Sequence, residues 1–258
     1  MLDQTAKPHP VVSREEWTAA RKAHLRREKE LTRLRDQVSA ERRALPWVKV
    51  DKTYVFDTPD GKRTLAQLFE GRSQLIVYHF MWRHDLDTGC SGCSFLSDHI
   101  DGANWHLPHH DVTLLAVSRA PLAKLAAYKR RMGWQFRWVS SLGSDFNYDY
   151  HVSFTKDDLA DGKVYYNYDM TEGWGMEELP GISVFTKDAR GDIFHTYSSY
   201  ARGGDLLIGA HNWLDLTPKG RNETTIMDWM RRHDEYEDTT SSCCGAAPGQ
   251  GVARDTAA

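Results

Sequence analysis

The chain has 258 residues, 40% of them hydrophobic and 27% charged, with a formal net charge of -3. That length holds one large core or two small ones, and the near balance of charge speaks against a nucleic-acid partner. No apolar run approaches the roughly 18 residues that span a bilayer, and the first eight residues lack the basic-then-apolar order of a secretory signal, so a cytoplasmic protein with no membrane partner is expected.

Residues 13–44 read as a long charged helix. Ser13 and Glu16 have the spacing of a capping box, in which each side chain satisfies the other residue's free backbone N–H. Trp17, His24, Leu31, Val38 and Leu45 recur every seven residues, while Arg27 and Glu41 interrupt the neighbouring row that Ala20 and Leu34 begin. The stripe suits a surface helix laid over the domain or over a partner subunit, and a homo-oligomer through this helix is one expectation.

Beyond Trp47 the pattern changes. Tyr54-Val55-Phe56 and the turn Thr58-Pro59-Asp60-Gly61-Lys62 predict a short strand and a reversal, followed by a short helical segment closed by Gly71. The run 75–81 predicts a buried strand, 91–100 a helix and 112–117 a second buried strand. A helix follows Pro121, which sits where a first turn tolerates a missing N–H, and Gly133 is placed to end it. Residues 136–139 suggest another strand and 147–168 an irregular aromatic insertion. Residues 182–185 and 193–197 bracket a turn and predict a hairpin. Helices are expected at 206–214 and 224–232. Strands alternating with helices argue for parallel pairing with an antiparallel edge, hence a mixed α/β sheet flanked by helices. The expected organisation is an N-terminal helical extension (1–45), one α/β domain (46–232) and a disordered tail (233–258).

Of the four cysteines, Cys90 and Cys93 stand three positions apart just after the buried strand 75–81. Two thiols so placed at a strand-to-helix junction can form a disulfide, and a helix N-terminus beneath Cys90 would favour its thiolate. Cys90 is then the nucleophile and Cys93 the resolving thiol. The same two sulfurs could instead hold a soft metal. His79 interrupts an apolar strand and needs a hydrogen-bond partner there. The histidines at 99, 106, 109 and 110 fit no compact ligand set and read as a loop. Cys243 and Cys244 stand side by side in the tail, where they could bind metal or oxidise.

Tyr78-His79-Phe80 before Cys90-x-x-Cys93, and later Leu179-Pro180-Gly181-Ile182-Ser183-Val184-Phe185, resemble the two signature blocks of the thioredoxin superfamily. The stretches from Val117 to Trp134 and from Lys187 to Ile193 are more similar to its peroxiredoxin branch. In finer detail, Gly89-Cys90-x-x-Cys93-Ser94-Phe95, Trp138-Val139-Ser140-Ser141 and Leu214-Asp215-Leu216-Thr217-Pro218 resemble a bacterial thioredoxin-like family catalogued as a domain of unknown function. Gly92 stands where typical thioredoxins carry proline, and the peroxiredoxin pattern around a lone peroxidatic cysteine is absent. The resemblance implies a thioredoxin-like fold and a thiol–disulfide oxidoreductase that needs no cofactor and acts on protein or small-molecule disulfides. It implies a cis Pro180, with Leu179, facing the reactive sulfur, and His79 as proton carrier for the second sulfur. By similarity to copper-delivery members it also implies an alternative, a copper or zinc site made of Cys90, Cys93 and His195. A scaffold of this fold without catalysis is the third reading.

Overall fold

The computed structural model describes residues 9–236. Helix α1 (Arg14–Arg43) begins with the expected capping box: Glu16 N–H donates to Ser13 Oγ at 3.2 Å, and Ser13 N–H donates to Glu16 Oε2 at 2.9 Å. None of its residues is buried. It meets the rest of the fold at its C-terminal end, where the Arg42 guanidinium lies 4.9 Å from the centre of the Tyr197 ring.

Strand β1 (Val48–Lys49) leads to the hairpin β2 (Val55–Thr58) and β3 (Gly61–Thr64), then to the one-turn helix α2 (Leu65–Leu68). Strand β4 (Gln74–His79) is followed by α3 (Ser91–Ser97) and α4 (Ile100–Asn104), so the expected helix 91–100 breaks in two near His99. Strand β5 (Val112–Ser118), α5 (Leu122–Arg131) and β6 (Arg137–Ser140) come next, and Gly133 closes the helix at φ +67°. The aromatic insertion holds α6 (Phe146–Asp149) and a separate hairpin, β7 (Lys163–Tyr166) with β8 (Asp169–Glu172). Strands β9 (Gly181–Lys187) and β10 (Ile193–Tyr200) form the expected hairpin, and a 3-10 segment (Ala201–Leu207) precedes α7 (Gly209–Leu214).

The main sheet has the order β1-β10-β9-β4-β5-β6-β2-β3. Strands β4, β5 and β6 are parallel, and β9 lies antiparallel against β4 on the other side. A central strand that feeds the dithiol, a parallel neighbour and an antiparallel hairpin opposite make this a thioredoxin-like fold. Alternate residues of β4 serve opposite faces. Ile76, Tyr78 and the following Phe80 pack with α3, α4 and α5, whereas Leu75 and Val77 pack with α2 and α6. Both faces are covered, which explains why β4 and β5 read as continuous apolar runs.

Two C-terminal expectations change. The segment 224–232 forms turns, tied where Asp228 Oδ2 accepts from the N–H groups of Thr224 and Thr225, each at 3.0 Å. It buries Met230 in the core. Residues 233–236, assigned to the tail by composition, include a 3-10 turn (His233–Glu235) held by Arg131, which pairs with Asp234 at 2.6 Å and Glu235 at 3.0 Å. Cys243 and Cys244 lie outside the described residues. Among the described residues no helix is long and apolar enough to cross a membrane.

The start of β9 has no room for a side chain. A Cβ on Gly181 would stand 2.8 Å from Val152 Cγ1 and 2.9 Å from Tyr200 Cδ1. Gly181→Ala is therefore expected to lower the free energy of unfolding by about 1–3 kcal/mol through overpacking, measured as a shifted midpoint in urea at unchanged m-value.

Candidate functional site

At the C-terminal end of β4 the chain leaves the sheet and returns to it. Phe80 N–H donates to Val117 O at 2.9 Å, and Cys90 N–H donates to Met81 O at 3.3 Å, closing the intervening loop. Gly89 allows that closure because a Cβ there would meet the Phe80 ring at 2.7 Å. Cys90 is then the N-cap of α3, with its Sγ accepting from Cys93 N–H at 3.5 Å, and Cys93 Sγ accepts from Met81 N–H at 3.4 Å. Both are free thiols, Cys90 half-buried and Cys93 buried.

The two sulfurs are electrostatically unequal. Cys90 is drawn down to about 7, chiefly by the Cys93 thiol that hydrogen-bonds to it. The N–H groups of Cys93 and Gly92 and the Arg232 guanidinium add to this, against the opposing effect of burial. Cys93 is pushed well up, first by burial and then by the Cys90 sulfur beside it. The Tyr78 hydroxyl, hydrogen-bonded to Cys93, acts in the other direction and stabilises its thiolate.

An apolar cavity of about 250 Å³ opens beside the dithiol, with Met81, Leu96, Pro180, Ile182, Ile208 and Met227 in its walls. Arg232 fastens the loop in front of it, donating to Gly89 O at 2.7 Å, Thr88 Oγ1 at 3.1 Å and Tyr128 Oη at 2.8 Å.

Pro180 shares the cavity with Cys90 and Cys93, but its peptide bond is trans, since none of the described residues carries a cis bond. This corrects the expectation of a cis Pro180. The backbone is tied on either side of that bond, by Leu179 N–H donating to Val152 O at 3.0 Å and by Tyr166 Oη donating to Pro180 O at 2.6 Å. The trans form is also the one X–Pro bonds favour, by about 0.5–1 kcal/mol. Leu179 turns away from the cavity and is buried with Val152, Phe154 and Tyr166.

His79 and His195 are on the other face of the sheet from the sulfurs. His79 stacks on Phe146 at 5.5 Å, and His195 lies edge-on to Tyr150 at 5.2 Å, within the core on the α2–α6 side. They are joined by a chain of side chains: His79 Nε2 to Ser183 Oγ at 2.9 Å, Ser183 Oγ to Ser198 Oγ at 2.9 Å, and Ser198 Oγ to His195 Nε2 at 2.8 Å. Burial, with a smaller effect from His195, drives His79 down to about 3, so its ring is neutral. Neither role expected of these histidines fits this placement. The strand alternation turns His79 away from Cys93 and puts the tyrosine one residue earlier in its place, and the sheet lies between His195 and the thiols. Among the described residues no three His, Cys, Asp or Glu side chains gather as a metal site.

Sequence reasoning missed Tyr78 and Arg232. The phase of β4 holds the signal for Tyr78: Phe80 packs toward the dithiol helix, so the residue two before it must face the same way. Arg232, which reaches Gly89 across 143 positions of sequence, leaves no local signature.

Alkylation of Cys90 by iodoacetamide should follow a titration centred near pH 7, the value to which Cys90 is lowered, rising with pH as the thiolate forms. Arg232→Ala should move that midpoint upward by removing a nearby positive charge. Mass spectrometry of tryptic peptides across pH 5–10 measures both, and Cys93 should stay unmodified over the range in which Cys90 reacts.

Solved structures similar to this chain include peroxidoxin BcpB from Mycobacterium tuberculosis, with 10% identity, 64% of this chain and 94% of that chain covered, and a TM-score of 0.42. Peroxiredoxin Q from Xanthomonas campestris is another, with 12% identity, coverage of 66% and 91%, and a TM-score of 0.38. No curated protein matches the chain. The family whose model does match is described as bacterial protein of unknown function, DUF899, and because the match runs over residues 6–236, the chain belongs to that family.

Proposed function

We propose that the protein is a thiol–disulfide oxidoreductase in which Cys90 is the nucleophile and Cys93 the resolving thiol. The observation that carries this reading is the asymmetry of the pair: a half-buried sulfur lowered to about 7 at a helix start, beside a buried sulfur pushed well up. A nucleophile near ambient pH combines a large thiolate fraction with retained reactivity.

The Cys90 thiolate attacks one sulfur of a protein or small-molecule disulfide seated against the apolar cavity. The substrate S–S bond breaks, its other sulfur leaves as a thiolate and takes a proton from water, and Cys90 is left in a mixed disulfide. Cys93 then gives its proton to the hydroxide left in solvent by the first leaving thiolate, with its own thiolate held by the Tyr78 hydroxyl and Met81 N–H, and attacks Cys90 Sγ. The second substrate thiolate leaves and the Cys90–Cys93 disulfide remains. The substrate has gained the two electrons that the dithiol lost, and no metal or other cofactor takes part.

Cys93→Ser should accumulate a mixed disulfide with a small probe disulfide such as 2-hydroxyethyl disulfide, whereas Cys90→Ser should form none. Recovery of the wild-type protein without a Cys90–Cys93 disulfide after exposure to that probe would sink the reading. Tyr78→Phe removes a hydrogen bond to a charged group, worth about 1.5–3 kcal/mol. It should slow decay of the mixed disulfide by about 10- to 100-fold while leaving the rate of its formation near wild type, as followed by stopped-flow thiol release.

A further inference from the structure

The cavity beside the dithiol is walled by side chains from the sheet, from α3 and from the C-terminal part of the chain. Tyr78 and Ile182 come from β4 and β9, Leu96 from α3, and Ile208 and Met227 from beyond β10. The turns at 224–232 pass against the start of α3, where a Cβ on Gly92 would stand 3.6 Å from Met230 Cε and 3.8 Å from Met227 Cε. Met227 holds left-handed backbone at φ +62°, uncommon for a residue with a long side chain. Among the described residues, Asp205 is the one charged residue in the wall besides the cysteines. It is already paired, its Oδ2 accepting from Arg202 Nε and from Arg221 Nη1, each at 3.1 Å. The wall thus offers no cation to an anionic ligand.

We infer that this cavity selects a small-molecule disulfide by seating one neutral, apolar arm of about phenylethyl size next to Cys90. The inference rests on the thiol–disulfide reading given above and names the substrate class of that site. An apolar cavity of about 150 Å³ is enough to take up benzene. The volume here, about 250 Å³, holds a ring joined to about two further carbons. Cys90 lines the same cavity, so an arm that fills it carries its own sulfur to the nucleophile. Burial of the arm favours binding in proportion to the apolar area removed from water. A carboxylate on the arm would instead lose its hydration with no positive partner to replace it. The Cys90 thiolate attacks the sulfur that bears the arm, the S–S bond breaks, and the other sulfur leaves as a thiolate that takes a proton from water. Cys93 then displaces the arm as its thiolate, which takes up a proton in turn.

The test uses the full chain and three 2-pyridyl disulfides whose other arm is 2-phenylethyl, 2-hydroxyethyl or 2-carboxyethyl. Attack on the sulfur that bears the arm releases pyridine-2-thione from each, so one absorbance signal reports all three initial rates. Release by Cys90→Ser, which keeps the other cysteines, is subtracted, and each rate is divided by that of the same probe with 2-mercaptoethanol to remove intrinsic reactivity. The phenylethyl arm should then react about 10- to 100-fold faster than the hydroxyethyl arm, and the carboxyethyl arm no faster than the hydroxyethyl arm. A Cβ on Gly204 would stand 3.5 Å from Leu96 Cδ1 and 3.8 Å from Ile182 Cδ1, ordinary contacts in the cavity wall. Gly204→Leu should therefore fill the cavity and abolish the preference for the phenylethyl arm. Should that variant not fold, 2-phenylethanol, which carries no sulfur, should slow the wild-type reaction with the phenylethyl probe, and ethylene glycol at the same concentration should not. Equal corrected rates for the phenylethyl and hydroxyethyl arms, a preference that survives Gly204→Leu, or no competition by 2-phenylethanol overturns the substrate assignment and leaves the oxidoreductase reading standing. If wild-type protein releases pyridine-2-thione no faster than Cys90→Ser with any probe, both fall.

Discussion

Burial of the Cys93 sulfur is the constraint on which the arrangement of this site depends. A thiol with so little access to water is hard to ionise, and the partners that ease its ionisation are fixed by the sheet. The hydroxyl beside it comes from β4 and the N–H beside it from the first residues past the end of that strand. The same geometry favours charge on Cys90, which shares hydrogen bonds with Cys93 and with the backbone of α3. One strand end and one helix start thus divide the two sulfurs into an attacking group and a reserve.

The rest of the fold supports that division. The C-terminal segment from Ala201 to Met230 supplies Gly204, Ile208 and Met227 to the cavity wall, and a Cβ on Gly92 would touch the methyl groups of both Met227 and Met230. Methionine walls are soft and polarizable, able to adapt to ligands of varied shape. Arg232 serves both as the latch on the loop before Cys90 and as a positive charge near its sulfur, so the segment that closes the cleft also tunes its chemistry.

Much of this was legible in sequence. Alternating apolar runs and helical stretches marked β4, β5 and the β9–β10 hairpin, and Ser13 with Glu16 marked the start of α1, because in each case the forces are local or periodic. The failures came where partners distant in sequence decide. His79 and Tyr78 are neighbours, and only the packing of the sheet determines which of them faces the helix layer. His195 stands in the hairpin where a ligand was expected, but its side chain is spent on Ser198 and the aromatic core of the opposite face. The turns at 224–232 hold apolar residues at helical spacing, and Asp228 caps the N–H groups of Thr224 and Thr225 as at a helix start, yet Met227 takes left-handed backbone at φ +62° and breaks the run. Pro180, singled out by the resemblance, lines the same cavity as Cys90 and Cys93, while the trans form of its peptide bond has no signal in the neighbouring sequence.

Helix α1 extends over 30 residues without burying one of them, about 45 Å of rod at 1.5 Å per residue. Its order comes from its cap and from pairs along its own surface, such as Arg21 with Glu28 at 2.8 Å and Arg27 with Glu30. Opening it therefore breaks few contacts with the sheet, and opening the sheet takes little from it. Amide protons in α1 should then exchange through local fraying, on a timescale unrelated to global unfolding. A protease that cuts within the rod would leave the dithiol, its cavity and the Arg232 latch in place.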